Sequence, residues 1–334
     1  MIAAVAATIP TEVLELREVP APEPADGELV LEVEACGICG TDLHVLDGMS
    51  YRPELPFILG HEPVGRVIAA GSDADSEWLG RRVTITLFTG CGVCAVCRSG
   101  DERVCADLRS ITGVLGAPGA FAERLLVRTA QVVDVPQSLS STDAAGLVDA
   151  GATAANSVRV IGRSPDGPMV VVGGGPVGFV AAELARADGW DVTVVQRSRP
   201  RREVLEALGY AVAESVDEVP VRPTVVIDAA GTAPILPWAL DALAPRGVFV
   251  AAAYGPLDQP TLAPLARKEL RIVGVRSGSR RDLVHVLEAA ATTTIRLPPV
   301  TIWPLRDINA AFAALRDRSV AGKAVIVPAL GDAA

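Results

Sequence analysis

The stretch "GPMVVVGGGPVGFVAAELARADGWDVTVVQRS", residues 167–198, constrains this chain more than any other. It reads as strand, tight turn, helix and strand. Val170, Val171 and Val172 end an apolar strand, Gly173, Gly175 and Gly178 make G-x-G-x-x-G, and Pro176 and Val177 open a helix. Each glycine answers a physical need: one makes the turn, one lets a pyrophosphate approach the backbone, and one lets helix and strand pack closely. The helix then offers its positive dipole end to the phosphates. A glycine-rich strand–helix turn without a ligand is the competing reading. Downstream the order repeats. "REVLEALG" reads as a helix closing at Gly209, "PTVVIDAAG" as a strand, "PILPWALDALAPRG" as a helix and "VFVAAAY" as a strand. This alternation predicts an α/β fold with a doubly wound parallel sheet. The helix "RRDLVHVLEAA" from Arg280 and the final "DINAAFAALRDRSVAGKAVIVP" read as lying outside that sheet.

A chain of 334 residues exceeds what one core usually holds, so two domains are expected. The net charge of −10 argues against nucleic acid or an anionic membrane as partner. The N-terminal "MIAAVAATIPTEVLEL" lacks the basic residues of a signal peptide, and no uncharged stretch of spanning length escapes glycine or proline. A soluble, cytoplasmic protein is expected. Of 30 basic residues only Lys268 and Lys323 are lysines, which leaves few candidates for Schiff-base chemistry, and neither sits in an obvious site.

All six cysteines precede residue 106. Cys91, Cys94, Cys97 and Cys105 form a C-x2-C-x2-C-x7-C array, and ligands two residues apart can wrap one tetrahedral ion. Disulfides are disfavoured, because several of these close pairs could not bridge without strain. A closed structural zinc site is expected. A second group is less regular: "ACGICGTDLH" carries Cys36, Cys39, Thr41, Asp42 and His44, and "GHE" follows with His61 and Glu62. Cys39 and His61 supply a thiolate and an imidazole for a catalytic metal, which needs a further ligand and an open position.

The end of the second strand of the glycine unit selects the cofactor. An NAD-specific domain places Asp or Glu there to bind the ribose 2′-hydroxyl. "DVTVVQRSRPRRE" has no acid at that point: Gln196 or Arg197 occupies it, followed by Ser198, Arg199, Arg201 and Arg202. Guanidinium groups meet a 2′-phosphate with paired, charge-assisted bonds, so NADP(H) is expected over NAD(H). The plainer alternative is a solvated helix start, although the helix dipole disfavours arginine there.

In order, "CGICGTDLH", "GHE", the four-cysteine array, "GAFAE" and "GGGPVG" resemble the zinc-dependent medium-chain alcohol dehydrogenases, and the likeness runs on to "GKAVIVP". It implies an N-terminal, partly β-barrel GroES-like catalytic domain over residues 1–150 and 275–334, with a Rossmann domain over 151–274. It implies two zinc ions per chain. Cys39 and His61 match the first two catalytic ligands, and Asp149 in "GLVDAGATAANSV" stands where the third is found. Glu62 matches a glutamate able to approach the zinc, and Asp42 an acid that orients the histidine. Thr41 matches the hydroxyl that touches the substrate oxygen, His44 the next relay position, and Cys36 a buried cysteine that is not a ligand. An ordinary helix-start aspartate at 149 and a solvent-facing histidine at 44 are the alternatives. The implied activity is hydride transfer between NADP(H) and a small alcohol, aldehyde or ketone, in a homo-oligomer of two or four chains. Two competitors are a biosynthetic C=C or iminium reductase with a repurposed zinc site, and a non-enzymatic zinc-binding module.

Overall fold

The computed structural model describes residues 1–162, 164–232, 235–255 and 262–329. The chain divides into two compact units. One comprises Met1–Asp149, Ser279–Ala291 and the residues from Pro299; the other comprises Ala150–Gly278 and Thr292–Pro298.

The second unit is built on Val- and Ile-rich runs such as Pro168–Val172, Val225–Asp228 and Val248–Ala251, whose Val170, Val172, Val226 and Phe249 share one core with Leu240. Runs buried on both faces make parallel sheets. With Asp191–Val195, Ala211–Ala213 and Arg271–Gly274 they form six parallel strands in the order third, second, first, fourth, fifth, sixth. That order puts a topological switch beside the end of Pro168–Val172, where the glycine turn begins. Helix Pro176–Ala187 carries a buried Glu183. This carboxylate receives Tyr210 Oη at 2.6 Å, Arg186 Nη2 at 2.6 Å, and the Arg296 backbone N–H and Nη2 at 2.8 and 2.9 Å. These bonds fasten Thr292–Pro298 to this unit, whereas the sequence reading assigns that stretch to the catalytic domain.

The first unit is mainly a sheet of strands Val132–Asp134, Arg82–Ile85, Glu62–Ala70, Glu28–Ile38, Lys323–Val327 and Val300–Pro304 in that order, with Arg124–Arg128 also pairing along Glu28–Ile38. The long strand Glu28–Ile38 is central: Gly37 stands opposite Glu62 on one side and Val325 on the other. Register thus brings "GHE", "CGICG" and "GKAVIVP" side by side from distant parts of the sequence. Among the described residues, no helix is long and apolar enough to cross a membrane.

Candidate functional site

The long strand runs straight into Cys39, the N-cap of helix Gly40–Leu46. Asp42, at the third helical position, is fully buried. One of its oxygens accepts the Cys39 backbone N–H at 2.8 Å, and the other lies 3.0 Å from His61 Nδ1. A single carboxylate therefore fixes both the cysteine loop and the face of the imidazole. His61 follows Gly60, whose φ is 100° and where a Cβ would stand 2.7 Å from the Phe121 backbone N. The chain can enter this loop only as glycine.

With Nδ1 held by Asp42, Nε2 faces the other way. There Cys39, His61 and Asp149 offer ligand atoms that all lie within 4.8 Å of one another. His61 Nε2 is 3.7 Å from Asp149 Oδ2, close to the roughly 3.4 Å edge of a tetrahedron with about 2.1 Å metal–ligand bonds. Nε2 is buried and makes no hydrogen bond among the described residues. Burial works against charge on His61, but the Asp42 carboxylate, with help from Asp149 and Cys39, holds its pKa well above the usual range. The surroundings call for positive charge at Nε2, which a proton or a metal ion can supply. Thiolate, imidazole and carboxylate form a donor set suited to catalytic zinc, so the residues fit the metal.

Thr41 Oγ1 lies 3.9 Å from Cys39 Sγ. His44 sits three residues on along the same short helix, half-buried and on Thr41's face. Cys36 is fully buried, and burial pushes its thiol far up, which suits packing rather than ligation.

Lys323 corrects the sequence reading. It is 1 % exposed and forms an ion pair with the equally buried Glu62. Burial alone would discharge this lysine; the Glu62 carboxylate reverses that and holds Lys323 above the ordinary amine range. Its sequence signal is slight: a lone lysine opening an apolar strand. The second lysine is also placed. Lys268 Nζ donates to the carbonyls of Leu240, Asp241 and Leu243 at 3.0, 2.6 and 3.1 Å, closing the end of helix Ile235–Ala242.

The four-cysteine lobe brings its sulfurs together as the spacing suggests. Cys94 Sγ lies 3.5 Å from Cys97 Sγ and 3.9 Å from Cys105 Sγ, and Cys91 Sγ lies 3.9 Å from Cys97 Sγ. These separations are too long for disulfides and match the roughly 3.8 Å edge of a tetrahedron with about 2.3 Å metal–sulfur bonds. All six cysteines are free. The backbone N–H groups of Val93 and Cys94 pull the Cys91 thiol down to about 6, while burial pushes Cys97 up to about 12. Four sulfurs this close need a cation among them before all can ionise.

In the second unit, Gly173 has φ 96°, and Gly175 caps helix Pro176–Ala187 with Pro176 and Val177 at its start. A Cβ at Gly178 would lie 1.7 Å from the Gly173 carbonyl oxygen. Gln196 turns back onto the loop, its Oε1 accepting the Gly174 N–H at 2.7 Å. The arginines separate. Arg202 donates to the Arg197 carbonyl and pairs with Glu214 at 2.6 Å, and Arg199 pairs with Glu203 on the surface. Arg201 Nη1 instead reaches the glycine turn, 3.4 Å from where a Gly175 Cβ would be. Ser198 caps helix Arg199–Ala207 without a side-chain bond to it, and Arg197 is exposed.

Residues 25–137 match the alcohol dehydrogenase GroES-like domain, and residues 176–292 match the zinc-binding dehydrogenase family. A probable alcohol dehydrogenase, AdhA, of Mycobacterium tuberculosis is 34 % identical over 319 residues, covering 92 % of this chain and 90 % of that one. An alcohol dehydrogenase of Geobacillus stearothermophilus is 29 % identical over 327 residues, 94 % of this chain and 95 % of its own. The cobalt- and zinc-bound thermostable alcohol dehydrogenase of Pyrobaculum aerophilum superposes with a TM-score of 0.89 at 27 % identity, covering 98 % of this chain and 99 % of that one. The mixed fold, with its GroES-like unit and parallel Rossmann-type sheet, the cysteine and histidine clusters and these likenesses agree: the chain belongs to the zinc-dependent medium-chain dehydrogenase/reductase family, as an oxidoreductase of the alcohol dehydrogenase type.

Proposed function

We propose that the protein interconverts a small alcohol and its aldehyde or ketone with NADP(H), holding one zinc ion at Cys39, His61 and Asp149 and a second at Cys91, Cys94, Cys97 and Cys105. The observation that carries this reading is His61 Nε2, buried without a hydrogen-bond partner among the described residues and facing Cys39 and Asp149. When bound, zinc supplies a Lewis acid for the substrate oxygen and the nicotinamide carries the hydride. The protein's own residues do the rest. Asp42 holds the imidazole so that Nε2, not Nδ1, faces the site. The Thr41 hydroxyl, beside Cys39, is placed to hold the proton that the substrate oxygen gains or loses, and His44 on the same helix face carries it toward solvent.

The cofactor preference rests on the missing carboxylate at Gln196 and on Arg201, which bends over the glycine turn; Ser198 and Arg197 stand beside it. Arg202 supports the loop through Glu214 rather than addressing the cofactor. Metal analysis of unchelated protein, followed by a panel of alcohols, aldehydes and ketones with both nicotinamide cofactors, tests the proposal. Two zinc ions per chain and higher catalytic efficiency with NADPH are expected. Fewer than two zinc ions, or no hydride transfer with any carbonyl or alcohol, overturns it, and a preference for NADH overturns the cofactor assignment.

A further inference from the structure

Helix Gly40–Leu46 carries Thr41, Asp42 and His44 on only seven residues, too short to be stable by itself. Its start is fixed by the Asp42 carboxylate on the Cys39 N–H. Its end leaves four carbonyls to satisfy, and each has a donor. Leu43 and Val45 take the N–H groups of Asp47 and Gly48 at 2.8 and 2.9 Å, His44 takes that of Met49 at 2.9 Å, and Leu46 takes that of Thr11 at 2.9 Å. The C-cap itself is an aspartate, Asp47. A carboxylate at the negative end of a helix is unfavourable unless a cation meets it. That cation is Arg316, whose Nη1 and Nη2 donate to the two Asp47 oxygens at 3.2 and 2.6 Å, across 269 positions of sequence.

Arg316 ends helix Ile308–Arg316, which is itself anchored twice. Near its start, the Asn309 amide exchanges two bonds with the Leu14 main chain, at 2.8 and 3.0 Å. Phe312 stands four residues before Arg316 and so on the same face. It is buried edge-on against Phe121, with ring centroids 5.8 Å apart. Phe121 is the residue whose backbone and ring crowd Gly60, the glycine that leads into His61. One face of this helix thus reaches both parts of the candidate site. Phe312 backs the histidine loop, and Arg316 holds the end of the helix that bears Thr41 and His44.

We propose that Arg316 is a positioning residue for the proton path: its hold on Asp47 sets helix Gly40–Leu46, and with it the Thr41 hydroxyl and His44, against the Cys39–His61–Asp149 cluster. The inference rests on the proton path given above. The N–H groups of residues 47–49 shape the end of the helix locally. Its placement against the histidine loop needs a tie to an element that also touches that loop, and Arg316 supplies it. Released, Thr41 and His44 shift relative to the reacting oxygen, and a misplacement of about 1 Å costs up to about 100-fold in rate.

The test compares full-length, zinc-loaded Arg316→Met, Asp47→Asn and the double variant with the parent, using NADPH and the aldehyde or ketone of the panel that is turned over fastest. Arg316→Met keeps the stem and removes the charge. Its turnover should fall about tenfold, with metal content and NADPH affinity unchanged. The solvent deuterium isotope effect on turnover should rise, because the proton step becomes limiting; a loss of stability alone would leave it at the parent value. Amide exchange should quicken severalfold at residues 43–48 and stay at the parent rate in the parallel sheet of the second unit. Asp47→Asn should reproduce these changes, and the double variant should add nothing to them, since each single variant removes the same contact. Arg316→Lys, which keeps the charge, should recover most of the turnover. Parent-like turnover and isotope effect in Arg316→Met overturn the proposal, as does a loss that Asp47→Asn does not share. If Arg316→Met fails to fold, Asp47→Asn, which keeps the shape of the pair, decides by the same readouts. Turnover and a solvent isotope effect that survive both Thr41→Ala and His44→Ala would instead overturn the proton path itself.

Discussion

Gly178→Ala puts the nucleotide turn under a defined strain. The new Cβ would stand 1.7 Å from the Gly173 carbonyl oxygen, 1.3 Å inside the 3.0 Å that real Cβ contacts respect, and 3.3 Å from Val171 Cγ1. The obstacle is backbone, so no side chain can swing aside. Gly173 at φ 96° must move with the turn, or helix Pro176–Ala187 must lift from strand Pro168–Val172. Overpacking of this sort costs about 1–3 kcal/mol. At about 2–4 °C per kcal/mol for a unit of this size, melting should fall by about 2–12 °C. The displaced turn also misplaces the N–H groups that face a pyrophosphate, and losing one bond to a charged group costs about 1.5–3 kcal/mol. NADPH should then bind roughly 10–150-fold more weakly. Calorimetry and a fluorescence titration with NADPH read the two effects separately. Gly274→Ala, where a Cβ meets nothing within 4 Å and φ is not positive, is the control and should change neither. A Gly178→Ala protein that melts within about 1 °C of the parent and binds NADPH equally would refute the reasoning.

Cys94→Ser should lose one zinc equivalent and melt earlier, while the Cys39 cluster keeps its metal, since a structural ion contributes folding free energy directly; metal analysis after gel filtration reads this, and two retained equivalents would refute it. Thr41→Ala should lower turnover by about 10²–10⁴-fold with little change in NADPH affinity; turnover equal to the parent, with a deuteride isotope effect showing hydride transfer to be rate-limiting, would remove Thr41 from the proton path. Asp75 accepts bonds from the hydroxyls of Ser72 and Thr129, both at 2.7 Å, and from the Gly27 N–H; these bonds, the Ser72 one foremost, lower its pKa. A depressed folded-state pKa gives stability that is complete above the usual 3.8 and lost as pH falls through the folded value. The deficit of Asp75→Asn in urea unfolding should therefore be constant near neutrality and shrink below pH 3.8; a deficit unchanged down to acid unfolding would contradict this.

What the sequence made legible is what is local in it. The glycine turn spans six residues and the cysteine array fifteen, so spacing alone carries their geometry. Cys39, Asp42 and His61 were legible as a motif, but not the fact that one carboxylate holds both the Cys39 backbone and the His61 ring, which needs the register of Glu28–Ile38 against Glu62–Ala70. The arginine run was visible as charge and could not be sorted. Glu214, which takes Arg202, comes twelve residues later and reaches it only once strand Ala211–Ala213 has paired with Asp191–Val195. The return of Thr292–Pro298 to the second unit had no local signal either, because it depends on Arg296 finding Glu183, more than a hundred residues earlier.

The two lysines belong to the same class of hidden information, and their chemistry explains why an arginine-rich chain keeps them. Arginine's planar fork suits pairs at or near the surface, such as Arg316 with Asp47, where two nitrogens meet two carboxylate oxygens at 3.2 and 2.6 Å. Neither lysine position offers that geometry. At the end of helix Ile235–Ala242 three carbonyls converge on one point, which a compact ammonium with three donors satisfies. Beneath Gly37 the passage is so narrow that even a methyl group on residue 37 would collide with the lysine stem. A slim chain ending in a point charge passes there. Of the chain's two lysines, then, one closes a helix end, and the other, from strand Lys323–Val327, meets the buried Glu62 where Gly37 leaves only a narrow passage.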